Sequence, residues 1–288
     1  MSLPIKKLYI DTKYKSRESV SNSNFKIDLP QTLMFPDNSV FYVDDISIPH
    51  SWYTIEENVN DKLYVLLFTT GTTGVPYDNH TVTQIDFEII TIAPGNYNGA
   101  ELAAEIQTKL GGALLGFTAV YNPKRNYINI NKNDIDQKFK ILTDDDIYTK
   151  LNNTWAGSSY DSNNPHSIND IIGNNRNFNS PYYNSSIGYG GALNLQAIRN
   201  IYIHSSLGNY NTMANWGSQT IVKKVPVTAN SGNYIFDQVM TGNDFGDCSK
   251  QTLRSISFEL KDSSNNYIPM HGNNLSFSII FSRMNPEI

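Results

Sequence analysis

The chain of 288 residues contains one cysteine, Cys248. A lone thiol forms no intrachain disulfide and builds no multi-thiolate zinc site, so packing must supply the stability and a reducing compartment suits assembly. Charge is also sparse. Asp, Glu, Lys and Arg make up 17% of the chain, with 27 acidic residues against 22 basic ones. A protein that coats nucleic acid or binds anionic membranes needs an excess of Lys and Arg, so no specific nucleic-acid partner is expected. Long apolar runs are missing: stretches such as Tyr64-Val-Leu-Leu-Phe68 fall far short of the roughly 20 residues that span a bilayer. No membrane insertion is expected. The N-terminal lysines have no apolar core or small-residue cleavage site beside them, so no signal peptide is expected either.

Chemical signatures are equally scarce. The five histidines, at 50, 80, 166, 204 and 271, show none of the close spacings that place two imidazoles on one metal. Asp45, His50 and Ser51 could be assembled into a triad, but neighbouring residues on a strand face opposite ways and the Ser lacks the Gly-x-Ser-x-Gly elbow. The carboxylate runs Asp44-Asp45 and Asp144-Asp-Asp146 lack the alternate ligands and sixth-position glycine of a calcium loop, which leaves turn formation or helix capping. Gly188-Tyr-Gly-Gly191 lacks the Lys-Ser/Thr of a phosphate loop. Cys248 has no activating base nearby in sequence. The expectation is a protein without catalytic residues, cofactor or metal.

What the chain has in quantity is aromatic and turn-forming residues: 18 Tyr, 13 Phe and 36 Asn. That balance suits many short strands joined by polar loops. Ile256, Phe258 and Leu260 alternate with polar residues, and Leu275, Phe277, Ile279 and Phe281 do the same beyond a broad loop, so both runs read as strands with one buried face. Earlier strands are expected at Phe25–Leu29, ended by Pro30, and at Val40–Ile48, ended by Pro49. Another is expected at Lys62–Phe68, apolar enough for burial on both faces. Thr69 to His80 reads as a loop. Ile85–Ile92 leads through a turn into the one clear helix, where Asn98 and Glu101 form a capping box, Leu102, Ile106 and Leu110 share a face, and Gly111-Gly112 ends the run. Strands follow at 117–120, 127–130 and 139–142, then a polar Asn-rich stretch over 152–192 with a weak helix signal at Ile168–Ile172. Strands resume at 198–204, 220–227 and 234–239.

This order predicts a mainly β protein: a jelly-roll-type antiparallel β-sandwich with an inserted small α+β lobe. Residues 1–23 read as an N-terminal arm, 24–81 and 193–288 as the sandwich, and 82–192 as the insertion. Two domains in series are the alternative, disfavoured because the opening strands would leave edges exposed unless the C-terminal strands pair with them.

Several segments together resemble a known family. Ile10-Asp-Thr-Lys-Tyr-Lys-Ser-Arg17 with Ser23-Asn-Phe-Lys-Ile-Asp-Leu-Pro30, Val43-Asp-Asp-Ile-Ser-Ile-Pro-His-Ser-Trp-Tyr53, and Ile92-Ala-Pro-Gly-Asn-Tyr-Asn98 are similar to segments of minor capsid proteins of Polinton-type elements and related double-stranded DNA viruses. So are Gly208-Asn-Tyr-Asn211, Ile221-Val-Lys-Lys-Val-Pro-Val227 and Tyr267-Ile-Pro-Met-His-Gly272. The resemblance implies a penton-type subunit with a jelly-roll core, forming a homopentamer, contacting the major capsid protein and residing in the virion. Loop aromatics are enriched at interfaces, so Trp52, Tyr53, Tyr210 and Trp216 are the expected contact residues, with Lys13 and Arg17 on the arm tethering a neighbour. A receptor- or glycan-binding spike, with 82–192 as the recognition lobe, is the competing reading.

Overall fold

In the computed structural model the described residues are 6–77, 80–113, 116–133, 137–148, 166–174, 189–208, 217, 220–238 and 245–284. The chain divides into two compact units, one built from Met1–Trp52 with Ile198–Ile288 and the other from Tyr53–Ala197.

The first unit is an antiparallel sandwich. With strands numbered along the whole chain, it comprises β1 (Lys6–Asp11), β2 (Asn24–Met34), β3 (Ser39–Pro49), β10 (Asn200–Ser205), β11 (Ile221–Pro226), β12 (Tyr234–Gln238), β14 (Thr252–Lys261) and β15 (Ser276–Arg283), plus the two-residue β13 (Gly246–Asp247). One sheet runs β1-β15-β3-β12 and the other β11-β10-β14-β2, with β13 on β3. The pairings are nested: β1 with β15, β2 with β14, β3 with β12, and β10 with β11. First strand against last, second against second-last and third against third-last is a hairpin of the whole chain rolled into two layers. It is a jelly roll.

Alternation sets the core. Phe25, Ile256, Phe258 and Leu260 point inward from one sheet, and Ile10, Ile46, Ile48, Phe277, Ile279 and Phe281 from the other; all are buried in one cluster. Phe258 touches Phe25 in its own sheet (ring centroids 5.3 Å) and meets Phe277 of the opposite sheet edge-on at 5.1 Å and 84°. Edge-to-face contacts of this kind add to the burial of apolar area. At the β11–β12 margin, the Lys223 ammonium lies 3.4 Å from Asp237 and ties the two sheets together.

The second unit carries β4 (Lys62–Tyr77), β5 (His80–Thr91), helix α1 (Gly99–Ala113), β6 (Phe117–Asn122), β7 (Tyr127–Lys132), β8 (Gln137–Ile141) and β9 (Tyr189–Ala192). Two three-stranded antiparallel sheets, β5-β4-β8 and β6-β7-β9, enclose a separate core with α1. Leu63, Tyr64, Val65, Leu66 and Leu67 of the central strand β4 are all buried, as the apolar run implies. The Asn98–Glu101 capping box forms in both directions: the Glu101 N–H donates to Asn98 Oδ1 (3.0 Å) and the Asn98 N–H to Glu101 Oε2 (2.9 Å). Leu102, Ile106 and Leu110 are fully buried. Asp146 accepts from Thr143 at the start of a single helical turn and pairs with the buried Lys140 at 3.2 Å.

Several expectations are corrected. Residues 6–11 are no free arm; they form β1, because β15 would otherwise present an unpaired edge. Pro30 does not end its strand. It sits in a bulge of Leu29–Thr32 opposite Arg254, on the margin of its sheet, where no ladder hydrogen bond is lost. Residues 69–80 do not form a loop but belong largely to the β4–β5 hairpin, and β4 pairs with β5 and β8 rather than with any sandwich strand, so the unit boundary falls after Trp52 instead of near residue 81. The helix continues through Gly111 and Gly112 to Ala113. The two C-terminal strands, β14 and β15, are consecutive in the chain but lie in opposite sheets. Most of 152–192 lies outside the described residues, although Asn169–Ile172 is helical.

Phe258→Ala removes the ring shared by both layers and is expected to cost about 3–5 kcal/mol of unfolding free energy by urea denaturation. A loss under about 1 kcal/mol would contradict the core assigned here.

Candidate assembly surfaces

The expected contact residues fare differently. Trp52 is only 2% exposed and stacks on His50 with ring centroids 4.2 Å apart, so it is a core residue and offers no area to a partner. Its sequence position at the end of a strand and before a turn is also where an aromatic closes the end of a sandwich. Tyr53 is 37% exposed in the second unit. Lys13 and Arg17 are exposed, with the Lys13 ammonium over the Tyr14 ring at 5.8 Å. Tyr210 and Trp216 lie outside the described residues. Lys13, Arg17 and Trp52 belong to the first unit and Tyr53 to the second.

The tempting triad is taken apart by its surroundings. His50 Nδ1 faces the Ala229 carbonyl at 2.7 Å, the Ser51 hydroxyl donates to the Met270 carbonyl at 2.9 Å, and Asp45 accepts from Ser278. Burial pushes the Cys248 thiol up to about 12, with Asp247 adding to the rise, so the thiolate nucleophile is suppressed.

The first unit exposes aromatic side chains at both margins of its β1-β15-β3-β12 sheet. On β1, Ile10 points into the core, which turns Tyr9 outward at 73% exposure; Tyr14, in the 3-10 turn that follows, is 74% exposed. On β12, Ile235 is buried, which leaves Tyr234 (54%) and Phe236 (71%) outside, their rings stacked 6.1 Å apart at 23°. A groove of about 340 Å³ is lined by Tyr9 and Asp11 of β1, Tyr14, Ile27 of β2, Asp45 of β3 and Phe277 of β15. These residues escaped the sequence reading because an apolar residue on the outward side of an alternating strand looks the same as one turned inward. The signal available was Tyr234-Ile-Phe236, three apolar residues in a row where a strand with one wet face should alternate.

The outer face of the second sheet is polar. Glu259 accepts from Tyr267 (2.6 Å) and Lys261 (2.7 Å), and the Lys261 ammonium lies over the Tyr267 ring at 4.9 Å. Burial works to raise the Glu259 pKa, but these hydrogen bonds outweigh it and hold the carboxyl below its usual value. The neighbouring His204 is buried, with Nδ1 2.9 Å from the Thr220 hydroxyl; burial, then the Lys261 charge, lower its pKa, with Glu259 opposing. Among the described residues no three His, Cys, Asp or Glu side chains gather as a metal would require, and no helix is long and apolar enough to cross a membrane.

With this geometry in hand, comparison with known proteins is informative at the level of structure alone. No protein-family model and no curated protein matches the sequence. The crystal structure of the selenomethionine-labelled mavirus penton protein does match, with a TM-score of 0.51 and 12% identity, over 96% of this chain and 99% of that one. The fold is penton-like. At this identity the likeness speaks for the fold, and it extends end to end rather than to the jelly roll alone.

Two outcomes follow from the buried groups. Cys248 is expected to resist a thiol-reactive disulfide reagent at pH 8 in the native protein and to react fully in urea; rapid native labelling would contradict its burial. The unfolded chain takes up a proton on His204 near pH 6.5 while the folded one resists it, so this contribution to stability is complete above that pH and is lost as pH falls toward the lower folded value. The urea midpoint should therefore fall between pH 7 and pH 5.5, and His204→Gln should flatten the dependence. An equally steep decline in the variant would assign it to another group.

Proposed function

We propose that this chain is a non-enzymatic structural subunit of a capsid, of the penton kind, that forms a homopentamer, contacts the major capsid protein and resides in the virion. The observation that carries the reading is the end-to-end structural match to a penton protein by a jelly roll closed through its first and last strands. Supporting it, the side chains that sequence reading offered for catalysis are engaged in packing: His50 and Ser51 on separate backbone carbonyls, Cys248 deep in the core. The exposed aromatics at two margins of the sandwich suit a subunit that buries area against other copies, since Tyr and Phe are enriched at protein–protein interfaces. The competing spike reading drew on Tyr and Asn of 82–192, part of which lies outside the described residues.

The decisive measurement is rotational symmetry of the purified protein in negative-stain images, alongside mass spectrometry of particles. Fivefold rings and a particle-borne peptide set are expected. Threefold particles would favour the spike, and a chain that stays monomeric and is absent from particles would overturn the capsid reading.

A further inference from the structure

The groove beside β1 brings together aromatic rings and negative charge. Asp11, Asp45, Tyr9 and Tyr14 line it, and among the described residues no Lys, Arg or His does. Each carboxylate spends one oxygen inside the chain: Asp11 Oδ1 accepts from the Lys13 N–H at 2.8 Å, and Asp45 Oδ1 from the Ser278 hydroxyl. Neither joins an ion pair among the described residues. The nearest lysines are placed elsewhere. The Lys7 ammonium pairs with Asp44 at 2.9 Å and lies over the Tyr9 ring at 5.2 Å, while the Lys13 ammonium lies over the Tyr14 ring at 5.8 Å. The hydrogen bond to Asp44 raises the Lys7 pKa and the Asp45 charge adds to the rise, so the field beside the groove stabilises positive charge. We propose that the groove binds an arginine side chain of a partner protein, carried on an extended segment that runs along the free margin of β1. The site does not depend on the oligomer reading above.

Charge complementarity selects a cation, and the tyrosines select which one. A guanidinium is planar, presents its donors in a fixed fork that matches a carboxylate, and stacks on aromatic faces, so it uses both kinds of lining at once. A lysine would use the charge without the fork. The backbone of β1 argues for an extended carrier. The Thr12 N–H donates to the Leu275 carbonyl, and the register runs unbroken from there to Lys6–Phe281. In an antiparallel ladder such bonded positions alternate, so Ile10 and Leu8 bond toward β15 while Tyr9 and Lys7 turn their N–H and C=O groups the other way. Among the described residues no strand pairs with β1 on that side. An added strand gains main-chain hydrogen bonds there, and its alternate side chains fall on the face where Tyr9 stands. With Tyr9 and Tyr14 at 73% and 74% exposure, the site is open to a segment that continues across the surface.

The probe is a short fluorescein-labelled Thr/Ser peptide with one central arginine, titrated with the full-length protein and followed by fluorescence polarisation. Two relatives of the peptide carry lysine or citrulline instead; citrulline keeps the planar shape and loses the charge. The arginine peptide should saturate, the lysine peptide should bind more weakly, and the citrulline peptide should bind about tenfold more weakly or worse, the least that losing a charged hydrogen bond implies. These comparisons use the wild-type protein, so they hold whether or not a variant folds. Asp11→Asn with Asp45→Asn keeps the acceptors that meet Lys13 and Ser278 and removes both charges; it should weaken the arginine peptide by about tenfold or more as well. Lys13→Ser, which removes a competing cation, should tighten it. Asp170→Asn, an exposed carboxylate of the second unit, should leave it unchanged. No saturation by the arginine peptide, or equal binding of the citrulline peptide, would overturn the site. An equal loss in Asp170→Asn would trace the binding to the net charge of −5 and overturn it too. A peptide that dissociates an oligomer as it binds would make a second copy the occupant and refute a separate partner. Each of these failures leaves the penton reading standing, since particle symmetry decides that.

Discussion

The structure of the first unit hangs on the ladder between the first strand and the last. Lys6 to Asp11 pairs residue by residue with Phe281 to Ser276, and the closure continues past the strand: the Thr12 N–H donates to the Leu275 carbonyl (3.1 Å), the Leu275 N–H to the Thr12 hydroxyl (3.0 Å), and Asn22 to the Gly272 and Asn273 carbonyls. These bonds join residues about 250 positions or more apart in sequence. Without them β15 would lack a neighbour on one side and Ile10 would leave the core. Contacts of such sequence separation are entropically late to form, so a chain of this topology folds slowly relative to one built from local pairings.

Nested pairing also explains how a second folded unit can interrupt the first. In a chain that doubles back on itself, the segment between the third and fourth sandwich strands is one loop among several, and a longer loop adds closure entropy only logarithmically. The inserted residues bring their own capped helix, two sheets and a core that shares no residue with the sandwich core. The buried Lys140–Asp146 pair belongs to that second core, held by Thr143 and a helical turn. An ion pair of this kind adds little net stability against an apolar replacement, while loss of either partner leaves a costly charge behind.

How much of this could be read from the sequence depended on whether the deciding physics was local. The α1 start was legible because Asn98 and Glu101 satisfy each other within one turn, and the burial of β4 was legible because five apolar residues in succession leave no wet face. The division into a sandwich from both chain ends and a unit between them was legible in outline, from edges that needed partners. What alternation could not give was the neighbour of each strand. Phe258 and Phe277 were correctly turned inward, yet their strands lie in opposite layers. Pro30 read as a stop because its missing N–H matters in a central strand; its place on a sheet margin is a long-range fact. Trp52 looked like a contact residue for the same reason, since a ring at a strand end covers a sandwich or a partner equally well. Tyr9, Tyr14, Tyr234 and Phe236 went unnoticed because outward direction is fixed by Ile10 and Ile235 facing the core, which only the assembled sheet decides.

The β1–β15 ladder has a mechanical side. Its strands are antiparallel, and Lys6 stands across from Phe281, so the first residue of β1 and the late residues of β15 lie at the same end of the ladder. Tension applied between Lys6 and Phe281 would load the rungs one at a time, from Lys6–Phe281 toward Asp11–Ser276, in a zipper rather than a shear. A pull that loaded all the rungs of this ladder at once would meet far more resistance than one that opened it from the Lys6–Phe281 end.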